Sequence, residues 1–225
     1  MIITGLTTQV RDPQRINVMV DGKYKFSLDI TQVVDLGVRV GKEYDEAELE
    51  LLEREGQFGK AYTRALEYAL TRPRSQREIK DYLYRKTRTT QSRYRSGPRE
   101  GQWYERPGIT QDVATRVFDR LIEKGYVDDA VFTKFWIENH HIRKGSSQRQ
   151  LTAELRAKGV DKEIIEQLLS ELPRNDAEEL QKIITKKASR YDDPQKLKAY
   201  LMRQGFQYED INEALAANAE DADLT

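Results

Sequence analysis

The chain has no cysteine in 225 residues, which excludes disulfides, thiol nucleophiles and zinc–thiolate sites. It also lacks long apolar runs: no stretch approaches the roughly 20 residues that a membrane span needs. The opening residues Met1-Ile2-Ile3-Thr4 lack the basic-then-apolar pattern of a secretory signal. Histidine is nearly absent, and its two copies are the neighbours His140 and His141. Adjacent positions on a helix point about 100° apart, so this pair cannot chelate one ion. There is no Gly-rich phosphate loop and no Ser–His–Asp arrangement. The paired acids Asp128-Asp129 and Asp192-Asp193 sit where helices begin and read as caps, the second pair followed by Pro194 at a first helical position. These absences lead to the expectation of a cytoplasmic monomer with no catalytic chemistry, no metal and no cofactor.

Formal net charge is +0, from 38 basic and 38 acidic residues, but the two signs are unevenly spread. Residues 1–57 carry 7 basic and 11 acidic groups, whereas residues 58–127 carry 16 and 8. Residues 128–173 carry 7 and 8, and residues 174–225 carry 8 and 11. The basic excess therefore lies in one stretch, which argues for an anionic partner without bearing on the fold. Hydrophobic residues make up 38% of the chain and charged residues 34%. That composition is polar for one packed globule and suits a helical repeat protein, whose units each expose much surface.

Residues 1–57 read as a small α+β module. Ile16, Val18 and Val20 alternate with polar neighbours, as do Tyr24, Phe26 and Leu28, the period-2 pattern of half-buried strands. Asp21-Gly22 between them is a type I′ hairpin signal, because both central residues of that turn need positive φ. Ile2 to Val10 fits a third strand, and Asp29 to Leu36 a short helix ended by Gly37. Asp45-Glu46-Ala47-Glu48 opens a helix with a capping box.

From Phe58 the period becomes helical, with Tyr62, Ala65, Leu66, Ala69 and Leu70 on one stripe. Arg72-Pro73-Arg74 breaks this helix, and Ser75-Gln76-Arg77-Glu78 reads as the capping box of the next. A third helix carries Val113, Val117, Leu121 and Ile122 and stops at Gly125. The cycle then recurs, with helices over 132–143, 147–158 and 161–172, and again over 177–191, 194–204 and 209–217. Leu155-Arg156-Ala157-Lys158-Gly159-Val160 matches Leu201-Met202-Arg203-Gln204-Gly205-Phe206: a helix end, a C′ glycine, and an apolar residue pinning the turn. Lys86 and Gly108-Ile109 fit the same frame once residues 87–107 are set aside as an insertion. The expected fold is therefore mainly α. Three tandem three-helix repeats (58–127, 128–173 and 174–219) follow the α+β module, and an acidic tail spans 220–225. The insertion has no apolar periodicity, and its composition predicts a loop unable to bury enough surface to order itself.

The candidate binding residues lie in the basic stretch. Arg72, Arg74, Arg77, Lys80, Arg85, Lys86 and Arg88 occupy one helix hairpin, and Arg93, Arg95, Arg99 and Arg106 lie in the insertion. Tyr94, Trp103 and Tyr104 are interleaved with them. Arginine forks suit phosphates and aromatic rings suit bases, so the set fits a nucleic acid; it fits an acidic protein groove equally.

Leu70-Thr71-Arg72-Pro73-Arg74-Ser75, followed by Leu121-Ile122-Glu123-Lys124-Gly125-Tyr126-Val127-Asp128-Asp129, resembles the RecX family of recombinase regulators. The Lys144-Gly145 turn, Leu151, Leu155 to Val160 and Ile164-Ile165 are similar to that family's second repeat. The resemblance covers about residues 58–217, and the N-terminal hairpin module resembles an extension that some members carry. It implies a curved array of three-helix repeats lying in the groove of a RecA–DNA filament, where such proteins modulate, usually inhibit, strand exchange and ATP hydrolysis. Residues 87–107 depart from the family pattern, in which this turn is short. Direct DNA binding through the Arg-rich first repeat and insertion, with no recombinase required, is the alternative reading.

Overall fold

The computed structural model describes residues 1–95, 97–140, 145–171, 175–187, 190–191 and 193–223. Of the positions singled out above, His141, Lys144 and Asp192 lie outside the described residues, as do residues 224–225 of the acidic tail. The described chain divides into two compact units. The first comprises Met1–Arg72 and Glu78–Val127, the second Pro73–Arg77 and Asp128–Thr225.

In the first unit, strands β1 (Ile3–Thr8), β2 (Arg15–Val20) and β3 (Lys23–Asp29) form an antiparallel sheet in that order. Val20 pairs with Lys23, leaving Asp21-Gly22 as a two-residue turn with φ of 49° and 79°, as the hairpin signal requires. Helix α1 (Ile30–Asp35) is capped by Asp29, and helix α2 (Glu46–Leu70) opens on the Asp45/Glu48 capping box. Helix α2 runs unbroken through residues 57 and 58, where the sequence suggests a change of module. It serves two cores. Leu49 and Leu52 pack with Val18, Phe26 and Leu28 of the sheet, whereas Ala65 and Ala69 pack with Ile79, Leu83 and Val117. Two glycines inside α2, each costing roughly 1 kcal/mol of helix propensity, mark its closest approaches. A Cβ on Gly56 would strike the Ser27 carbonyl, and one on Gly59 would sit 2.7 Å from the Gln32 side chain.

Helices α3 (Gln76–Thr87) and α4 (Gln111–Glu123) complete the first three-helix set. Between them the insertion folds as an antiparallel hairpin, β4 (Thr90–Arg93) with β5 (Trp103–Arg106), and this corrects the expectation of an irregular loop. Tyr94 and Gln102 continue the pairing, Gly97 and Gly101 take positive φ at the tip, and the Tyr94 and Tyr104 rings meet at 4.5 Å. Both faces of the ribbon are largely exposed. It therefore has no alternation of apolar and polar residues for a periodicity argument to detect. The stem is pinched shut: Ile109 N donates to Lys86 O at 3.0 Å.

The second unit holds six helices among the described residues: α5 (Asp129–His140), α6 (Gln148–Ala157), α7 (Lys162–Glu171), α8 (Asp176–Lys187), α9 (Pro194–Arg203) and α10 (Tyr208–Asp223). They make two three-helix sets with separate cores. Leu151, Leu155, Val160 and Ile165 fill one; Leu197, Leu201, Phe206 and Ile211 fill the other at identical spacing.

A recurring joint ties helix starts to the following set. Asp128 caps its own helix, its Oδ1 accepting from Ala130 N at 2.7 Å. The next residue, Asp129, reaches away and accepts from Gln76 N at 2.8 Å. Asn175 and Asp176 repeat the arrangement: Asn175 accepts from Ala177 N at 3.0 Å, while Asp176 accepts from Gln148 N at 2.9 Å. Alongside, Ser75 Oγ donates to Lys158 O at 2.8 Å, and Ser147 N donates to Gln204 O at 2.9 Å. The acceptors belong to the last turns of α6 and α9, just before Gly159 and Gly205.

Two expectations follow for stability, both measurable by chemical denaturation. Asp129→Ala and Asp128→Ala should each cost about 1 kcal/mol, the usual loss for an N-cap carboxylate. Only Asp129→Ala should also accelerate amide exchange at Gln76, and equal exchange in the two variants would contradict the joint. Gly205→Ala should cost about 3 kcal/mol, combining left-handed strain with a Cβ placed 2.5 Å from Ser147 Oγ. Gly125→Ala, at positive φ but facing open space, should cost only about 1 kcal/mol.

Candidate functional site

A cleft of about 760 Å³ opens in the first unit between the sheet, α2, α3 and the hairpin. Each wall brings cations to it: Arg15 and Lys25 from β2 and β3, Lys60 and Arg64 from α2, and Arg85 and Lys86 from α3. Arg88 and Arg106 flank the stem of the hairpin. Glu53 is the one acidic residue among those described that line it.

These cations differ in role. Arg15 is buried and committed to structure: its Nη2 donates to Ser27 O at 2.6 Å and to Gly56 O at 3.1 Å. The bare backbone at Gly56 is what lets α2 come near enough for that contact. Lys60 is half-buried with no such anchor. Burial, with Arg64, Arg106 and Arg15 close by, pushes its ammonium below the ordinary lysine range, because desolvation and like charges both disfavour the charged form. Among the described residues no carboxylate lies within ion-pair distance of Lys60, Arg64 or Arg106. Elsewhere in the unit the chain does pair its cations, as in Arg116 with Glu55 at 2.7 Å.

Aromatic rings complete the walls. Tyr82 stacks on Tyr68 at 4.5 Å and carries Lys86 over its face at 4.9 Å. Tyr24 and Tyr104 also line the cleft and keep exposed ring surface.

Of the residues chosen from sequence, Arg85, Lys86, Arg88, Arg106 and Tyr104 come together here. The others do not. Arg72 is held by Glu78 in a two-pronged pair at 3.0 and 2.9 Å. Arg74 and Arg77 belong to the segment that packs in the second unit, where Arg77 lies beneath the turn at Gly159. Lys80 covers the Phe118 ring at 4.8 Å. On the hairpin, Arg93 Nε donates to Gly101 O at 2.7 Å, Arg99 lies over Tyr94, and Arg95 and Trp103 are exposed. The sequence reading missed Tyr24, Lys25, Lys60 and Arg64. Lys60 and Arg64 are one helical turn apart, a spacing that offered a signal. Lys25 was concealed by the acidic total of its module.

Comparison with known proteins gives a consistent picture. The chain matches the RecX regulatory protein N-terminal domain over residues 1–45. It matches the RecX second three-helix domain over 128–169 and the third over 175–215. It is 30% identical to regulatory protein RecX of Bacillus velezensis, covering 95% of this chain and 76% of that one. It is 28% identical, with the same coverage, to the Bacillus licheniformis protein of that name. A crystal structure of regulatory protein RecX superimposes with a TM-score of 0.64 at 20% identity, over 94% of this chain and 98% of the other. The three-helix sets, the N-terminal sheet and these matches agree, and the chain belongs to the RecX family of regulatory proteins.

Proposed function

We propose that this protein regulates RecA recombinase, acting as an inhibitor that binds in the groove of the RecA–DNA filament and slows strand exchange and ATP hydrolysis. The reading places it in the cytoplasm, in homologous recombination and DNA repair, and it asks no catalysis of the chain itself. Family membership supports it, and the observation that carries it is the twice-made joint of the second unit. Repeated three-helix sets offer several similar surfaces for binding, and a filament presents its own subunits at regular intervals. Contacts to neighbouring protomers then reinforce one another through effective concentration, which favours the filament over free recombinase.

Titration into a RecA–single-stranded-DNA ATPase reaction tests the reading. Hydrolysis should fall by at least half at saturating protein, and strand exchange should slow in parallel. Pull-down should retain filamentous RecA at least tenfold better than monomeric RecA. Unchanged hydrolysis at saturation, or equal retention of the two forms, would count against it.

A further inference from the structure

We infer that the cleft of the first unit is a binding site for single-stranded nucleic acid, seating phosphates on Lys60, Arg64 and Arg106 and bases against Tyr24 and Tyr104. The inference goes beyond the regulatory reading, because it requires no recombinase.

The first support is electrostatic. Folding gathers eight cations around one concavity, and among the described residues no carboxylate lies within ion-pair distance of any of them. Lys60 carries the burden most plainly, since burial and its cationic neighbours both oppose its charge. Holding like charges together in this way is unfavourable for the free protein, and an anion entering the cleft relieves the repulsion.

The second support is shape. The cations line a recess, so the ligand must be thin and pliable enough to enter it. A duplex is read by elements that project into its grooves, whereas a flexible strand follows a charged channel floored with aromatic rings. Tyr104 is 38% exposed and Tyr24 58% exposed, so both offer ring faces on which a base of any identity can stack. A ring face takes any base, and sequence-tolerant binding follows.

The third support separates this site from the wider basic stretch. Arg72 and Lys80 are occupied by Glu78 and Phe118. The binding charge is therefore carried partly by Lys60 and Arg64 of α2, ahead of the helix hairpin and insertion that hold the cations chosen from sequence.

The test uses the full chain without recombinase, with fluorescence anisotropy of a labelled 15-nucleotide oligo-dT between 50 and 200 mM salt. With about three phosphates engaged, log K should fall against log salt with a slope of about −2. Lys60→Met, and the double variant Arg64→Gln/Arg106→Gln, should each weaken binding at least fivefold and flatten that slope by about one per lost contact. Lys162→Met, on a distant helix, should change nothing. Lys60→Met should melt at or above the temperature of the parent, which separates loss of a ligand contact from loss of the fold. A duplex of equal length, ATP and a 15-residue polyglutamate should each bind at least tenfold more weakly. The inference fails if oligo-dT does not bind, if binding survives the cleft variants with its slope intact, or if any of the three competitors matches oligo-dT. Strand binding with no effect on RecA would sink only the regulatory reading; an effect on RecA without strand binding would sink only this one.

Discussion

The first turn of a helix carries backbone amides that no residue of that helix can satisfy. In the second unit this deficit is met from the next repeat: Asp176, already the first residue of α8, turns its carboxylate to Gln148 N at the start of α6. Asp129 does the same for Gln76 N. Such a bond differs from an ordinary cap, because the carboxylate comes from a residue far away along the chain and ties two helix starts together within the unit. Close contacts at Gly159 and Gly205 accompany it. Those glycines have φ of 79° and 87°, which ends each helix sharply. Their missing Cβ atoms leave room for Arg77, and for Ser147 with Gln150, to close against the turn. A cap, a left-handed residue and a space for one side chain thus form a single device, made twice.

The first unit is organised by a different constraint, the length of α2. One helix of 25 residues contributes to both the sheet core and the first three-helix core, so the N-terminal module and the first repeat share a rigid element. The cleft exists because of this. Its floor is α2, and its walls come from modules that the sequence divides. Gly56 contributes at two levels. It lets the helix approach the sheet closely, and its carbonyl accepts from Arg15, which anchors a buried charge at the base of the cleft. A helix free of glycine would be intrinsically more stable and would stand further from β3.

Much of this was legible in the sequence, and the parts that were not share a cause. The Asp21-Gly22 turn, the capping box of α2, and the helix ends at Gly125, Gly159 and Gly205 follow from local chemistry, where one or two residues decide the backbone. The apolar stripes at Leu151/Leu155 and Leu197/Leu201 were readable because burial imposes a period. The insertion had no period, since neither face of its ribbon is buried, and its pairing rests on two glycines and a cross-strand tyrosine contact. Asp128-Asp129 was legible as a cap but not as two caps pointing to different helices, because the second recipient lies far away along the chain. The charge count located the basic stretch and then misled within it. It could not tell a cation already held, such as Arg72, from one left without a partner, such as Arg64.

That distinction carries the functional weight. A cation paired with a carboxylate has much of its field offset by the opposite charge beside it. An unpaired one, half-buried beside others of its sign, keeps that field and directs it into the space it faces. Charge density along a sequence therefore measures capacity for binding an anion, while the pattern of pairing in the fold decides where that capacity is spent. In this protein pairing with Glu78 occupies Arg72, Lys80 lies over Phe118 away from the cleft, and Lys60 and Arg64 line the recess from a helix that also packs two cores. The repeat joint and the cleft then answer separate needs: one ties helix starts together within the second unit, and the other concentrates positive charge in the first.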